Sequence, residues 1–205
     1  LNFSNFDKKE FKKIDILSEK QLVSLRRFIK SKYKRLDGII NLVANDPKMN
    51  NKNNFKNFED TNLLEFQNDL NLGLTGMMLV IKNLINLLKT SKSASVVNIA
   101  SDLSVISPDQ RLYSNDFYNL SNPVKPITYS VIKNGLIGLT KYVATYWAKN
   151  NVRCNAISPG GVINNQGEEF LEKINKLIPL GRMANKDEYS SAIQFLCSDA
   201  SSYMN

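Results

Sequence analysis

Three short apolar runs, separated by long stretches of helical periodicity, predict an α/β fold: a doubly wound parallel sheet with helices on both faces. The runs are residues 36–43, which is compactly apolar around Gly38, 95–100, a second buried-strand candidate, and 152–157, a third strand. A strand buried on both faces reads that way, because neither side of it meets water. The stretches between them, 61–88 and 129–149, repeat apolar residues at helical spacing. Strands that alternate with long helices imply parallel pairing through crossovers. Such sheets place ligands outside the carboxyl ends of the strands. Residues 41–45, Ser101 and 158–161 all fall there, so they are expected to share one crevice.

The elements follow in chain order. Residues 13–17 read as a short strand ending at a turn. Ser18 and Gln21 stand at capping-box spacing, opening a helix with Leu22, Leu25, Ile29 and Tyr33 on its apolar side. Residues 46–57 form a loop rich in Asn and Lys, with Pro47. Asn71, Gly73 and Gly76 lie in the middle of the 61–88 helix. The connection 102–128 carries Pro108, Pro123 and Pro126 and keeps no period. Within the 129–149 helix, Gly135 and Gly138 each cost about 1 kcal/mol against alanine; close packing of another helix would account for both. Two more helices, near 168–178 and 186–198, end the chain. No internal repeat is visible, and residues 1–205 read as a single domain.

Composition narrows the function classes. The chain has 27 basic and 19 acidic residues, net +8, with most of the excess before Asp60. Those lysines alternate with apolar residues and fit a solvated helix face, so no nucleic-acid partner is expected. There is no histidine, and Cys154 and Cys197 lack metal-ligand spacing; no metal is expected, and the thiols suit a reducing, cytoplasmic setting. No apolar run approaches the ~20 residues that span a bilayer. Residues 74–88 are broken by Lys82, Asn83 and Asn86 and read as a buried amphipathic helix, so no membrane partner is expected.

Tyr129 and Lys133 carry the clearest chemistry. Four residues apart on a helix, they share a face. An ammonium beside a phenol favours the phenolate, which makes a proton donor and acceptor usable near neutral pH in a chain without histidine. The same spacing also occurs in ordinary exposed helix pairs, so the neighbours decide.

Read in order, those neighbours resemble the single-domain short-chain dehydrogenase/reductase family. Leu36-Asp37-Gly38-Ile39-Ile40-Asn41-Leu42-Val43-Ala44 stands where the family has iDgLvNNAG, and Asn71 matches its mid-helix Asn. Val96-Val97-Asn98-Ile99-Ala100-Ser101 is similar to the strand ending in its catalytic Ser. Tyr129 and Lys133 match its Tyr and Lys, and residues 153–162 match RvNaisPGgv. Residues 179–182 and 195–199 match its last helix and the lead-in to it. Within the family, residues 108–113 and 159–165 are similar to oxidoreductases of bacterial surface-polysaccharide and flagellin-glycan biosynthesis.

The resemblance implies a Rossmann-like fold and NAD or NADP as cofactor. It implies that Tyr129 exchanges a proton with the substrate, while Lys133 lowers the phenol's pKa and holds the nicotinamide ribose. Ser101 would hydrogen-bond the developing oxyanion, and Asn71 would hold a water that relays protons through Lys133. The bland alternatives are a turn cap for Ser101 and backbone satisfaction for Asn71. Asp15, with Ile16 beside it, would meet the adenine; the alternative for Asp15 is a helix cap. Asn41 and Ala44 would form the turn beneath the cofactor, made bulkier here by Leu42 and Val43. Pro159, Gly160 and Val162 would frame the nicotinamide. Arg111, the only arginine of the long connection, suits an anionic group of a sugar substrate, or else ties down its own loop.

The expected function is therefore hydride transfer to or from a secondary alcohol or ketone, on a sugar or sugar derivative for surface-glycan biosynthesis, by a homodimer or homotetramer. A non-catalytic scaffold that keeps the fold and a nucleotide-sugar epimerase or dehydratase are the alternatives. No Gly-rich turn is legible in residues 1–205, so the domain reads as incomplete, without the family's first and last strands. The 36–43 strand is then expected to be an open edge, prone to association, and dinucleotide binding by these residues alone is expected to be poor.

Overall fold

The structure, a computed structural model, describes residues 11–43, 57–113 and 124–205. Strands β1 (Gly38–Asn41), β2 (Ala94–Ile99) and β3 (Val152–Ile157) form a parallel sheet in the order β1-β2-β3. Ile39 pairs with Val96, and Val96 with Cys154. β1 and β3 fall within the apolar runs, and β2 begins one residue before its run. Central β2 is buried along its whole length, as a strand covered on both faces must be. Val96 points into the larger core with Ile81, Leu84, Leu88 and Val143, and Val97 and Ile99 face Leu196 on the other side.

Helix α1 (Glu19–Tyr33) starts at Ser18, whose hydroxyl accepts from the Gln21 N–H at 3.4 Å. Only half of the expected capping box forms, because the Gln21 carboxamide accepts from the Asp15 N–H at 3.0 Å. That diversion bears on the first misread element: residues 13–17 are not a strand. The Leu17 N–H goes to the Asp15 carboxylate at 2.9 Å, and the Ser18 N–H goes to the Asp15 carbonyl at 3.1 Å. Backbone donors spent in a local turn are unavailable to a ladder.

The expected 61–88 helix runs unbroken from Leu63 to Leu88 but changes its winding in the middle. Helix α2 (Leu63–Leu70) passes through a π-helical turn, Asn71–Thr75, into α3 (Gly76–Leu88). By length and composition this 26-residue helix could cross a membrane, contrary to the sequence estimate. In the fold, Ile81, Leu84, Leu87 and Leu88 pack into the core.

Helix α4 (Ile127–Tyr146) packs on β2 and β3, its residues Val143 and Ala144 entering the larger core. It ends in a 3₁₀ turn, and Asn151, at φ 57°, turns the chain into β3. Helices α5 (Glu168–Leu177) and α6 (Ser190–Cys197) follow. The last helix starts later than the expected residue 186. A turn intervenes in which the Glu188 carboxylate accepts from the Asn185 N–H at 2.6 Å and from Arg182 at 2.7 Å. Buried Arg153, on β3, donates to the Leu196 and Ser198 carbonyls at 3.1 and 3.2 Å, satisfying acceptors that the end of α6 leaves open.

Among the described residues, β1 pairs on one side only. Its outer edge borders a groove of about 1080 Å³ lined by Phe11, Ile14, Ile16, Phe28 and Val43. Ile40 and Leu42 are 40% and 67% exposed there.

Candidate active site

Beyond the carboxyl ends of β2 and β3 lies a cleft of about 620 Å³. Ile99, Ala100 and Ser101 supply one part of its wall, residues 159–166 another, and Tyr129 and Lys133 of α4 a third. Six of the residues singled out in the sequence therefore line one space: Ser101, Tyr129, Lys133, Pro159, Gly160 and Val162. They come from three separate segments, brought together by parallel pairing of the strands that precede the first and last of them.

Lys133 is 5% exposed, and its ammonium donates to the Ile99 carbonyl at 2.8 Å. A buried charge needs such an acceptor, and this bond ties α4 to the end of β2. The same ammonium stands 5.5 Å from the centre of the Tyr129 ring, so the pair shares a helix face as its spacing requires. A second ammonium, that of Lys125, lies closer, 3.9 Å from the ring centre. Lys125 precedes Tyr129 by the same four residues that separate Tyr129 from Lys133. That repeated spacing was the available signal for it in the sequence.

The Ser101 hydroxyl donates to the Asp102 carboxylate at 2.7 Å and accepts from the Leu103 N–H at 3.3 Å. It thus caps the 3₁₀ turn Asp102–Ser104 while lining the cleft. To serve a substrate oxygen it must rotate its hydrogen away from Asp102. The surrounding loops are tied together: Asp102 N–H to Pro159 O at 2.9 Å, Gly160 N–H to the Tyr189 hydroxyl at 3.0 Å, and Asn134 to Leu103 O at 3.2 Å. Nothing in the sequence marked Tyr189.

The remaining site residues lie elsewhere. Asn71 is exposed on the π turn and accepts from the Thr75 hydroxyl at 3.4 Å, outside the cleft lining. Asn41 is buried and donates to the Asn98 carboxamide at 2.7 Å, bordering the groove along β1 rather than the cleft. Asp15 is exposed in its turn. Ile16 packs toward Gly76, where an added Cβ would lie 2.6 Å from its Cδ1. Ala44 lies outside the described residues. Arg111 is exposed and clamps Asp109, Nη2 to Oδ2 at 2.6 Å and Nε to Oδ1 at 2.9 Å. That is the geometry of a residue tying down its own loop, and it holds the Asp109 carboxyl below its ordinary range. Among the described residues, no cluster of three or more His, Cys, Asp or Glu side chains is arranged to hold a metal.

Gly161 packs against Met183 at the cleft wall, where a Cβ would lie 2.5 Å from Met183 Cε. Lys133, which lines the cleft with Tyr129, suits the hydroxyls of a dinucleotide's nicotinamide ribose.

Fold and cleft together define a dinucleotide-binding α/β domain built around a Tyr–Lys pair. The comparisons with known proteins agree. Residues 4–205 match the family model described as enoyl-(acyl carrier protein) reductase. An uncharacterized short-chain type dehydrogenase/reductase of Sinorhizobium fredii is 30% identical over 198 residues, 93% of this chain and 32% of that protein. The post-translational flagellin modification protein A of Campylobacter coli is 27% identical, over 95% of this chain and 75% of that protein. A short-chain dehydrogenase of Leptospira borgpetersenii, solved with bound NAD+, superposes with a TM-score of 0.84 at 29% identity, covering 98% of this chain and 74% of that one. The chain belongs to the short-chain dehydrogenase/reductase family. It spans from about a third to three quarters of the length of these relatives.

Proposed function

We propose that this chain is the catalytic part of an NAD(P)-dependent oxidoreductase that moves a hydride to or from a secondary alcohol or ketone. One observation carries the reading: Tyr129, Lys133, Ser101, Pro159, Gly160 and Val162 line a single cleft at the carboxyl end of a parallel sheet. The cofactor supplies the hydride chemistry when bound. The chain's own residues do the rest. Lys133, anchored on Ile99 O, holds the ribose and biases Tyr129 toward the phenolate. Tyr129 passes a proton to or from the substrate oxygen. Ser101, once rotated off Asp102, donates to that oxygen as charge develops. Asn71 stands in the π turn packed on α4, and π turns recur at functional sites; its role in this reading is the proton relay past Lys133.

The substrate in this reading is a sugar or sugar derivative on the way to a surface glycan, supported by the flagellin-modification relative. The protein works as a homo-oligomer, for which the exposed, stacked Tyr142 and Tyr146 of α4 offer an apolar contact surface.

The test is a spectrophotometric screen of the intact protein with NAD+ and NADP+ against polyols and sugar derivatives. Turnover that disappears in Tyr129→Phe supports the reading. No turnover with either cofactor, from protein that binds neither, overturns it.

A further inference from the structure

We propose that Tyr189 is a positioning residue for the reaction: its hydroxyl fixes the orientation of the Pro159–Gly160 peptide and, through it, the turn that carries Ser101. The inference rests on the oxidoreductase reading for the role of Ser101 and goes beyond it in assigning Tyr189.

The peptide between Pro159 and Gly160 is held at both ends. Its N–H donates to the Tyr189 hydroxyl at 3.0 Å, and its carbonyl accepts from the Asp102 N–H at 2.9 Å. A peptide unit is planar, so two such bonds fix how its plane is turned. Packing does not take their place. A Cβ on Gly160 would meet nothing nearer than the Tyr189 oxygen at 3.7 Å and an Asp102 carboxylate oxygen at 4.0 Å. The Ser104 and Ser158 hydroxyls, 3.1 Å apart, keep the two loops side by side, but they do not set the turn of the peptide that follows.

Both anchors stand on the same strand. Asp102 follows Ser101 beyond the end of β2, and the Ser104 N–H closes that turn on the Ser101 carbonyl at 2.9 Å. Tyr189 precedes α6, and its carbonyl accepts from the Ile193 N–H at 3.2 Å. Ile193 and Leu196 of α6 pack with Val97 and Ile99 of β2, and the Ser95 hydroxyl donates to the Leu196 carbonyl at 2.7 Å. Contacts therefore run from β2 through α6 and the Tyr189 hydroxyl to the 159–160 peptide, and back to β2 through Asp102. Ser101 sits on that circuit and lines the cleft. Cut at Tyr189, the peptide turns about its one remaining bond, and the Ser101 turn shifts with it. A displacement of about 1 Å at a reacting group costs up to about 10²-fold in rate.

The experiment compares the intact protein with Tyr189→Phe, which keeps the ring and removes the acceptor. Steady-state kinetics are run in the native and Ser101→Ala backgrounds, with thermal melts beside them. Exchange of the Gly160 amide is followed by NMR on protein without cofactor or substrate. The expected result is a kcat lower by about tenfold or more, with KM and melting temperature kept and Gly160 exchange accelerated. In Ser101→Ala the same substitution lowers kcat by clearly less, because the group being positioned is gone. An unchanged kcat, an equal loss in both backgrounds, or an unchanged exchange rate overturns the proposal. Turnover that is lost in Tyr129→Phe but kept in Tyr189→Phe overturns it while the oxidoreductase reading stands. If the unaltered protein turns nothing over, that reading falls, and the exchange rate alone decides whether Tyr189 holds the peptide. Should Tyr189→Phe fail to fold, Gly160 exchange in the unaltered protein decides: slow exchange supports the bond, and exchange as fast as in an unfolded chain overturns it.

Discussion

Gly73 and Ile132 hold the π turn and helix α4 at a separation that leaves no room for a Cβ. One added to Gly73 would lie 2.8 Å from Ile132 Cγ2 and 3.0 Å from its Cδ1. Gly135 and Leu74 repeat the arrangement in the opposite sense, Cβ to Cδ2 at 2.8 Å. Ile132 is the neighbour of Lys133, so this interlock sets where the buried ammonium stands.

Gly73→Ala is therefore expected to destabilise the fold by about 1–3 kcal/mol through overpacking. Gly138→Ala is the control. The sequence suggested the same close packing at Gly138, but nothing lies within 4 Å of a Cβ there. Alanine should gain up to about 1 kcal/mol in helix propensity. Urea unfolding midpoints of the two variants are expected to move in opposite directions, and a shift of both in the same direction would contradict the interlock.

In the oxidoreductase reading, Tyr129→Phe is expected to lower turnover by about 10²–10⁴, because the proton carrier is lost while the ring is kept. Lys133→Met should lose activity and stability together. It leaves the Ile99 carbonyl without its 2.8 Å donor, at a cost of about 1–3 kcal/mol for a buried acceptor. Steady-state kinetics beside thermal melts separate the two effects.

The sheet was legible because central β2 is buried on both faces and the segments 36–43, 95–100 and 152–157 are rich in apolar residues between long helical stretches. The cleft followed, since parallel pairing brings those strand ends together. What stayed hidden was decided by single hydrogen bonds. Asp15 draws the Leu17 N–H into a turn, so a plausible strand never pairs. Arg111 closes on Asp109, two residues away, rather than on the cleft. The π turn at Asn71–Thr75 inserts a wider winding into a pattern whose apolar period reads as ordinary helix.

Asn98 is expected to be the least tolerant polar residue of the core. It is fully buried, accepts from Asn41 at 2.7 Å and donates to the Thr140 hydroxyl at 2.8 Å. Thr140 in turn donates to the Leu136 carbonyl at 2.7 Å, so the chain of bonds runs from β1 through β2 into α4. Asn98→Ala strands the Asn41 carboxamide and leaves a void, costing on the order of 3 kcal/mol. Because Asn41→Ala breaks the same bond, the double variant should lose less than the sum of the singles. Strict additivity in chemical denaturation would show the two residues to be independent.

Cys154 makes a pH prediction with a definite sign. Burial pushes its thiol from the ordinary 9.0 up to about 12, against smaller opposing effects of the Asn98 and Thr140 hydrogen bonds. The folded state therefore keeps a proton that the unfolded chain releases above about pH 9. The stability this contributes is fully present below pH 9 and declines as pH rises toward 12. Cys154→Ala should flatten that part of the pH dependence, so the stability difference between the native protein and the variant is expected to shrink steadily across this window. At pH 8, a thiol reagent should reach Cys154 only through unfolding, because the thiolate is the reactive form. Partly exposed Cys197 should label first. Rapid labelling of both cysteines in the folded protein would show Cys154 to be accessible and remove the basis for the alkaline slope.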